Sequence, residues 1–198
     1  MAGIIFILIL CMIIIYMTHV KKNEGYEAFV INKNEHYSLR VNRTLPIKYK
    51  FVLCSKSINF SAIFSDGCNY DTDSLGKDSL DVNKLYGISY GFDHRYRSIR
   101  IGWNYNSNLG VIQLFTYSYI QGQRKIQLLS RVKLYSEITI SINWHKDGSI
   151  VQVRDFNRVI GENTIVGVSK SWIQFKLFPY FGGNQKAPND MKIFIKDI

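Results

Sequence analysis

Seven residues in the second half of the chain are of the types that hold a sugar: Arg100, Gln113, Tyr117, Tyr119, Gln174, Lys176 and Tyr180. Tyrosine rings stack on the C–H faces of sugars, while amides and cations hydrogen-bond their hydroxyls and carboxylates, so a few such groups on one surface would orient a glycan. Their spacing carries the argument, because successive residues of a β-strand point to opposite faces. Arg100 alternates with Ile99, Ile101 and Trp103, and Gln113, Phe115, Tyr117 and Tyr119 share one side of a second segment. In a third, Trp172, Gln174, Lys176, Phe178 and Tyr180 oppose Ile173, Phe175 and Leu177. The aliphatic rows, with Ile138, Ile140, Ile142 and Trp144, read as core. The opposite rows read as a sheet face that either binds a ligand or is covered by a second layer or a partner chain.

Strands that would position these rows are expected at 37–41, 47–53, 58–64, 85–90, 98–103, 111–119, 125–129, 138–143, 150–154, 172–178 and 191–195. Turn residues separate them: Asn106-Ser107-Asn108, Gln121-Gly122-Gln123, Lys146-Asp147-Gly148 and Gly182-Gly183-Asn184. In LFPYFGGNQKAP, residues 177–188, Phe178 and Tyr180 are expected to face a groove. Phe181 should plug the end of the core, and the two glycines should free the backbone to turn. Many short alternating strands predict an all-β fold, an antiparallel β-sandwich or barrel over 37–198.

A polar stretch at 21–36 reads as a stalk, and residues 2–17, AGIIFILILCMIIIYM, are unbroken apolar sequence. Extended to Val20 they reach the length that crosses a bilayer, so 1–20 is expected to be a single N-terminal transmembrane helix, retained as a signal-anchor. A cleaved signal is the alternative, although no positive start or small-residue cleavage site is visible. Lys21 and Lys22 would hold the following side in the cytoplasm. Against that, sequons at Asn42 and Asn59, and a pairing of Cys54 with Cys68, would place the domain outside the cytoplasm or within a virion. Two free buried thiols satisfy the sequence equally well.

The formal charge is +10, and none of it falls in residues 1–20. That favours acidic partners, nucleic acid, anionic glycans or lipid headgroups, but the cations are scattered, as a solubility excess would be, and form no specific nucleic-acid motif. No cofactor motif is present: neither zinc-ligand spacing, a phosphate loop nor a nucleophile elbow occurs. The run from Asp66 through Asn69, Asp71 and Asp73 to Asp78 fails the EF-hand pattern and reads as a polar loop without metal. His94 and His145 adjoin turns and read as surface histidines.

The segments NKLYGISYG, RSIRIGW, LFTYSYIQGQR and KLFPYFGGNQKAPNDMKIFI, within about 85–195, resemble successive elements of the concanavalin A-like jelly rolls, the lectin and glucanase sandwich that also carries polysaccharide lyases. That resemblance implies a jelly-roll sandwich. For its alginate-lyase-like members it implies an arginine, a glutamine, a histidine base, and a tyrosine near a lysine. Arg100, Gln113, Tyr180 and Lys176 can be laid on four of these, but Leu114 and Phe115 follow Gln113 where the family has isoleucine and histidine. The leading expectation is therefore a non-catalytic, membrane-anchored module that recognises a glycan or another surface ligand. The alternative is a structural protein of a virion or cell-envelope assembly, held by protein partners; a polysaccharide lyase comes third.

Overall fold

The computed structural model of the chain describes residues 25–41, 46, 48–53, 55–71, 81–146, 148–168 and 171–198. The expected anchor, Asn42 and Cys54 lie outside the described residues. Within them the protein is all-β, built from two antiparallel sheets. The first runs in the order β11 (Arg158–Ile165), β10 (Gly148–Asp155), β9 (Glu137–His145), β4 (Ser57–Phe64), β13 (Met191–Asp197), β1 (Glu27–Ile31) and β2 (Leu39–Arg40). The second runs β3 (Tyr49–Leu53), β12 (Ile173–Leu177), β5 (Asn83–Tyr90), β6 (Arg97–Asn106), β7 (Val111–Ile120) and β8 (Gln123–Val132).

The alternating aliphatic rows meet between the sheets. Ile99, Ile101 and Trp103 of β6 are buried, as are Ile138, Ile140 and Ile142 of β9 and Met191, Ile193 and Ile195 of β13. At one end of this layer the indole of Trp103 lies among Phe64, Tyr70 and Phe181, with ring centroids 5.1, 6.1 and 6.4 Å away. Phe181 thus plugs the core end. Each such buried aromatic contributes about 1.5–3 kcal/mol from area alone.

Three parts of the sequence behave differently from expectation. Residues 27–31 belong not to a polar stalk but to β1, where Phe29 and Ile31 are buried between β13 and β2. Their apolar positions are few and flanked by charges, so the strand is stabilised by its neighbours: Arg40 pairs with Glu27 at 3.0 Å and lies over the Phe29 and Phe178 rings. Strand β11 was also not expected, because Gly161, Glu162 and Asn163 interrupt its alternation.

The third difference concerns the face of β12. Gln174 and Lys176 pair across from Tyr90 and Ile88, which point into the core, whereas Phe175 and Leu177 pair with Ser89 and Gly87 on the outside. The expected parity is inverted. Gln174 is wholly buried because the chain turns around it supply both partners: Ser55 N donates to its Oε1 at 3.0 Å, and its Nε2 donates to Ser171 O at 2.8 Å. Lys176 runs inward over Tyr86 to an ion pair of 2.6 Å with Asp197 on the opposite sheet. Phe178, expected in a groove, is 3% exposed and stacks on Phe29 at 5.6 Å.

Cys68 is a fully buried free thiol with Sγ 3.6 Å from Lys192 O, and burial pushes it up to about 12. Asn59 of the second sequon is partly buried in β4.

Trp103→Ala is expected to destabilise the domain by about 3–5 kcal/mol, read as a lowered urea midpoint. Gln174→Ala, which orphans a backbone donor and acceptor, should cost about 1–3 kcal/mol. Ile173→Ser on the outer face should cost under about 1 kcal/mol. The reverse ranking of the last two would refute the inverted strand.

Candidate functional site

The outer face of the second sheet can be followed row by row across its strands. One row runs Tyr49, Leu177, Gly87, Arg100, Tyr117 and Ile126; the next runs Phe51, Phe175, Ser89, Ser98, Tyr119 and Arg124. On the other side Tyr180, bridged to Tyr37 and Lys84, aligns with Gly102 and Phe115. Glycines and serines therefore occupy the middle of the face while tyrosines and cations surround it. Among them lies a hollow of about 510 Å³, lined by Ser98, Arg100 and Leu177 and walled by the tyrosines and cations. That volume suits a small ligand or one to two sugar units.

Arg100 occupies the hollow's floor. It is 8% exposed, and one terminal nitrogen donates to Phe178 O at 2.6 Å while its Nε makes no hydrogen bond. Its path depends on Gly87, since a Cβ there would stand 2.8 Å from Arg100 Cγ and 2.3 Å from Ile99 O. Burial lowers the guanidinium to about 10, which leaves it charged at neutral pH. An unsatisfied, desolvated cation is a strong attractor for a carboxylate or sulfate.

Lys84 stands beside it. A bulge between Lys84 and Tyr86 turns the lysine to the outside while Tyr86 faces the core. Its Nζ donates to Gly182 O at 2.7 Å and lies 5.1 and 5.5 Å from the Tyr117 and Tyr180 ring centroids. Burial first, and then the charge of Arg100, lowers this ammonium to about 8. Tyr180 is fixed by two backbone bonds to Lys84, of 2.8 and 2.9 Å, by a stacked His36 ring at 5.3 Å and by Tyr37 edge-on at 5.0 Å. Burial raises its hydroxyl, and raises that of Tyr117 to about 12, so both are protonated donors. Lys48, Arg95 and Arg124 complete the rim, and among the described residues no carboxylate lines the hollow.

Of the residues expected from sequence, the structure brings together Arg100, Tyr117, Tyr119 and Tyr180. Gln113 shares their face but pairs with Asn104, four residues from Tyr117 and so roughly 13 Å along the strand. Gln174 and Lys176 point the other way and are removed from the site. His94, read as a surface residue, is exposed at the hollow's mouth; burial and the charges of Arg100 and Arg95 lower it. His145 lies at the end of β9 and does not line the hollow. Lys84 was missed because a bulge reverses parity without leaving a mark in residue types. Arg95 and Arg124 fell outside the expected strands, and Lys48 lay within the one at 47–53, whose faces carry no clear alternation.

No family model and no curated protein matches the sequence. Among solved structures, alginate lyase A1-II', a member of polysaccharide lyase family 7, superposes with a TM-score of 0.53 at 10% identity, covering 87% of this chain and 77% of that one. A functionally unknown protein from Saccharomyces cerevisiae gives 0.53 at 10%, covering 87% and 85%. The alginate lyase from Klebsiella pneumoniae gives 0.50 at 9% and covers 70% of this chain; the match spans 56% of the enzyme's length. The chain has the jelly-roll β-sandwich architecture of the concanavalin A-like proteins.

Proposed function

We propose that this protein is a membrane-tethered β-sandwich that binds an acidic polysaccharide in the hollow on its second sheet. The observation that carries the reading is the composition of the hollow: among the described residues, Lys48, Lys84, Arg95, Arg100 and Arg124 converge on it with five tyrosines and without a carboxylate. A repulsive assembly of this kind costs stability unless an anion offsets it. Tyr37, Tyr117, Tyr119 and Tyr180 offer ring faces and hydroxyls to a sugar, and Arg100 offers its charge to the acidic group. The jelly-roll fold adds weight, since two of its structural neighbours are alginate lyases.

A second reading is elimination on a uronate unit. The observation favouring it is Lys84, lowered to about 8 beside Arg100 and Tyr180. A neutral Lys84 amine would take the proton on the carbon next to the carboxylate, which Arg100 would hold; that C–H electron pair would form the C=C bond as the bond to the glycosidic oxygen breaks, and the Tyr180 hydroxyl would give the departing oxygen its proton. Unsaturated sugar ends would appear in the ultraviolet.

Calorimetry with oligomers of a polyuronate and with a neutral glucan tests the binding reading. The polyuronate alone should bind, and Arg95→Gln with Arg124→Gln should weaken it about tenfold or more, equivalent to about 1.4 kcal/mol, with an unchanged urea midpoint. Equal binding of the neutral glucan, or an unaffected double variant, would sink it.

The pH dependence has a definite sign. Lys84 is charged below about 8 and neutral above it, so affinity for the polyuronate should fall as pH rises from 7 to 9. Lys84→Met should remove that fall. A flat profile in the unmodified protein would remove Lys84 from the site.

A further inference from the structure

One end of the sandwich gathers exposed apolar side chains in a way the hollow does not explain. Leu53 closes β3, Trp172 precedes β12 and Phe92 follows β5, and they are 74%, 81% and 82% exposed. They form one patch around Ile173. Leu53 pairs with Ile173, Trp172 is its chain neighbour, and Gly91, next to Phe92, donates its N–H to Ile173 O at 2.9 Å. The patch continues to Phe175, which touches Phe51 and Phe92. Lys56, Arg95 and Lys146 lie exposed in the loops of the same end, while the carboxylate of Asp93 there is engaged by Arg95 N at 2.8 Å. The opposite end also exposes Leu109, Tyr135 and Phe156, but each sits in a different turn, and Tyr135 is bonded to Asp66.

The chain enters the fold toward this end. Glu27 is level with Ile195 and Ala62, so Gly25 is level with about Phe60, three residues short of Ser57 at the start of β4. Three residues of strand are about 10 Å. The five Cα steps from Gly25 back to Val20, the last residue of the apolar leader, reach at most roughly 18 Å. That reach is long enough to bring the leader's end to the plane of the exposed loops, and the intervening sequence includes Lys21 and Lys22.

We infer that this end of the sandwich is a membrane-docking face: Trp172, Phe92 and Leu53 enter the interfacial layer of the bilayer that holds the leader, while Lys56, Arg95 and Lys146 meet anionic headgroups. Tryptophan and phenylalanine at the headgroup level, backed by cations, are the composition that such an interface selects. The inference does not depend on the glycan reading, because Trp172, Phe92 and Leu53 do not line the hollow.

The chain contains three tryptophans, and Trp172 is the exposed one; Trp103 is wholly buried and Trp144 partly so. The full chain is reconstituted in vesicles of equal parts phosphatidylcholine and phosphatidylglycerol, with and without brominated acyl chains. Tryptophan emission should be quenched by the brominated lipid and shielded from aqueous acrylamide. Both effects should be lost in Trp172→Phe and reduced in the double variant Leu53→Asp, Phe92→Asp. Quenching that persists in Trp172→Phe, or acrylamide access to Trp172 equal in the presence and absence of vesicles, would overturn the inference. So would shielding of Trp172 only when another protein is added, which would assign the patch to a protein partner.

Discussion

The apolar layer between the two sheets is the constraint from which the remaining features follow. A β-strand has two sides, so each residue committed to the layer commits its neighbours to the other face. In β6 the burial of Ile99, Ile101 and Trp103 leaves no freedom for Ser98, Arg100 and Gly102. In β7 the same rule turns Tyr117 and Tyr119 outward beside them. The site is therefore the complement of the core, and Gly87 leaves the space through which Arg100 of β6 reaches the hollow.

Electrostatics then decide what that hollow can accept. Burial lowers the proton affinity of both Lys84 and Arg100, and the charge of Arg100 lowers that of Lys84 further. Nearby Asp81 opposes the shift of Lys84, but it is occupied by Gly183 N at 3.0 Å and lies outside the hollow. Hydrogen bonds to Phe178 O and Gly182 O hold both cations in place without neutralising them. Under the proposed function such a site is preorganised for negative charge, and an anionic ligand would relieve the repulsion between its cations.

Sequence reading recovered the sheet architecture wherever a strand buries one face with repeated aliphatics, as in β6, β9 and β13. It failed where stabilisation comes from neighbours. β1 has only Phe29 and Ile31 to offer, and its place is decided by pairing with β13. β12 carries rings and aliphatics on both sides, so parity alone assigned Gln174 and Lys176 to the wrong face. The inward choice depends on Ser55, Ser171 and Asp197, which lie up to 119 residues away in sequence. Lys84 is hidden by a bulge, a backbone event with no residue signature. Arg100, Tyr117, Tyr119 and Tyr180 were legible because they alternate with core residues or sit beside a plug.

Arg95 joins the two surfaces. It lines the hollow and also belongs to the turn at the end of the sandwich that carries Phe92. Ser98 and Tyr119, in the row nearest that end, lie only one residue from the start of β6 and the end of β7, about 3 Å along the strand. If the strands stand along the membrane normal, the rows of the hollow lie parallel to the bilayer, and a bound polysaccharide would run along the surface within reach of the headgroups. Acidic lipid and acidic glycan would then draw on the same cation, so that each would weaken the other's hold on Arg95 by an equal free energy.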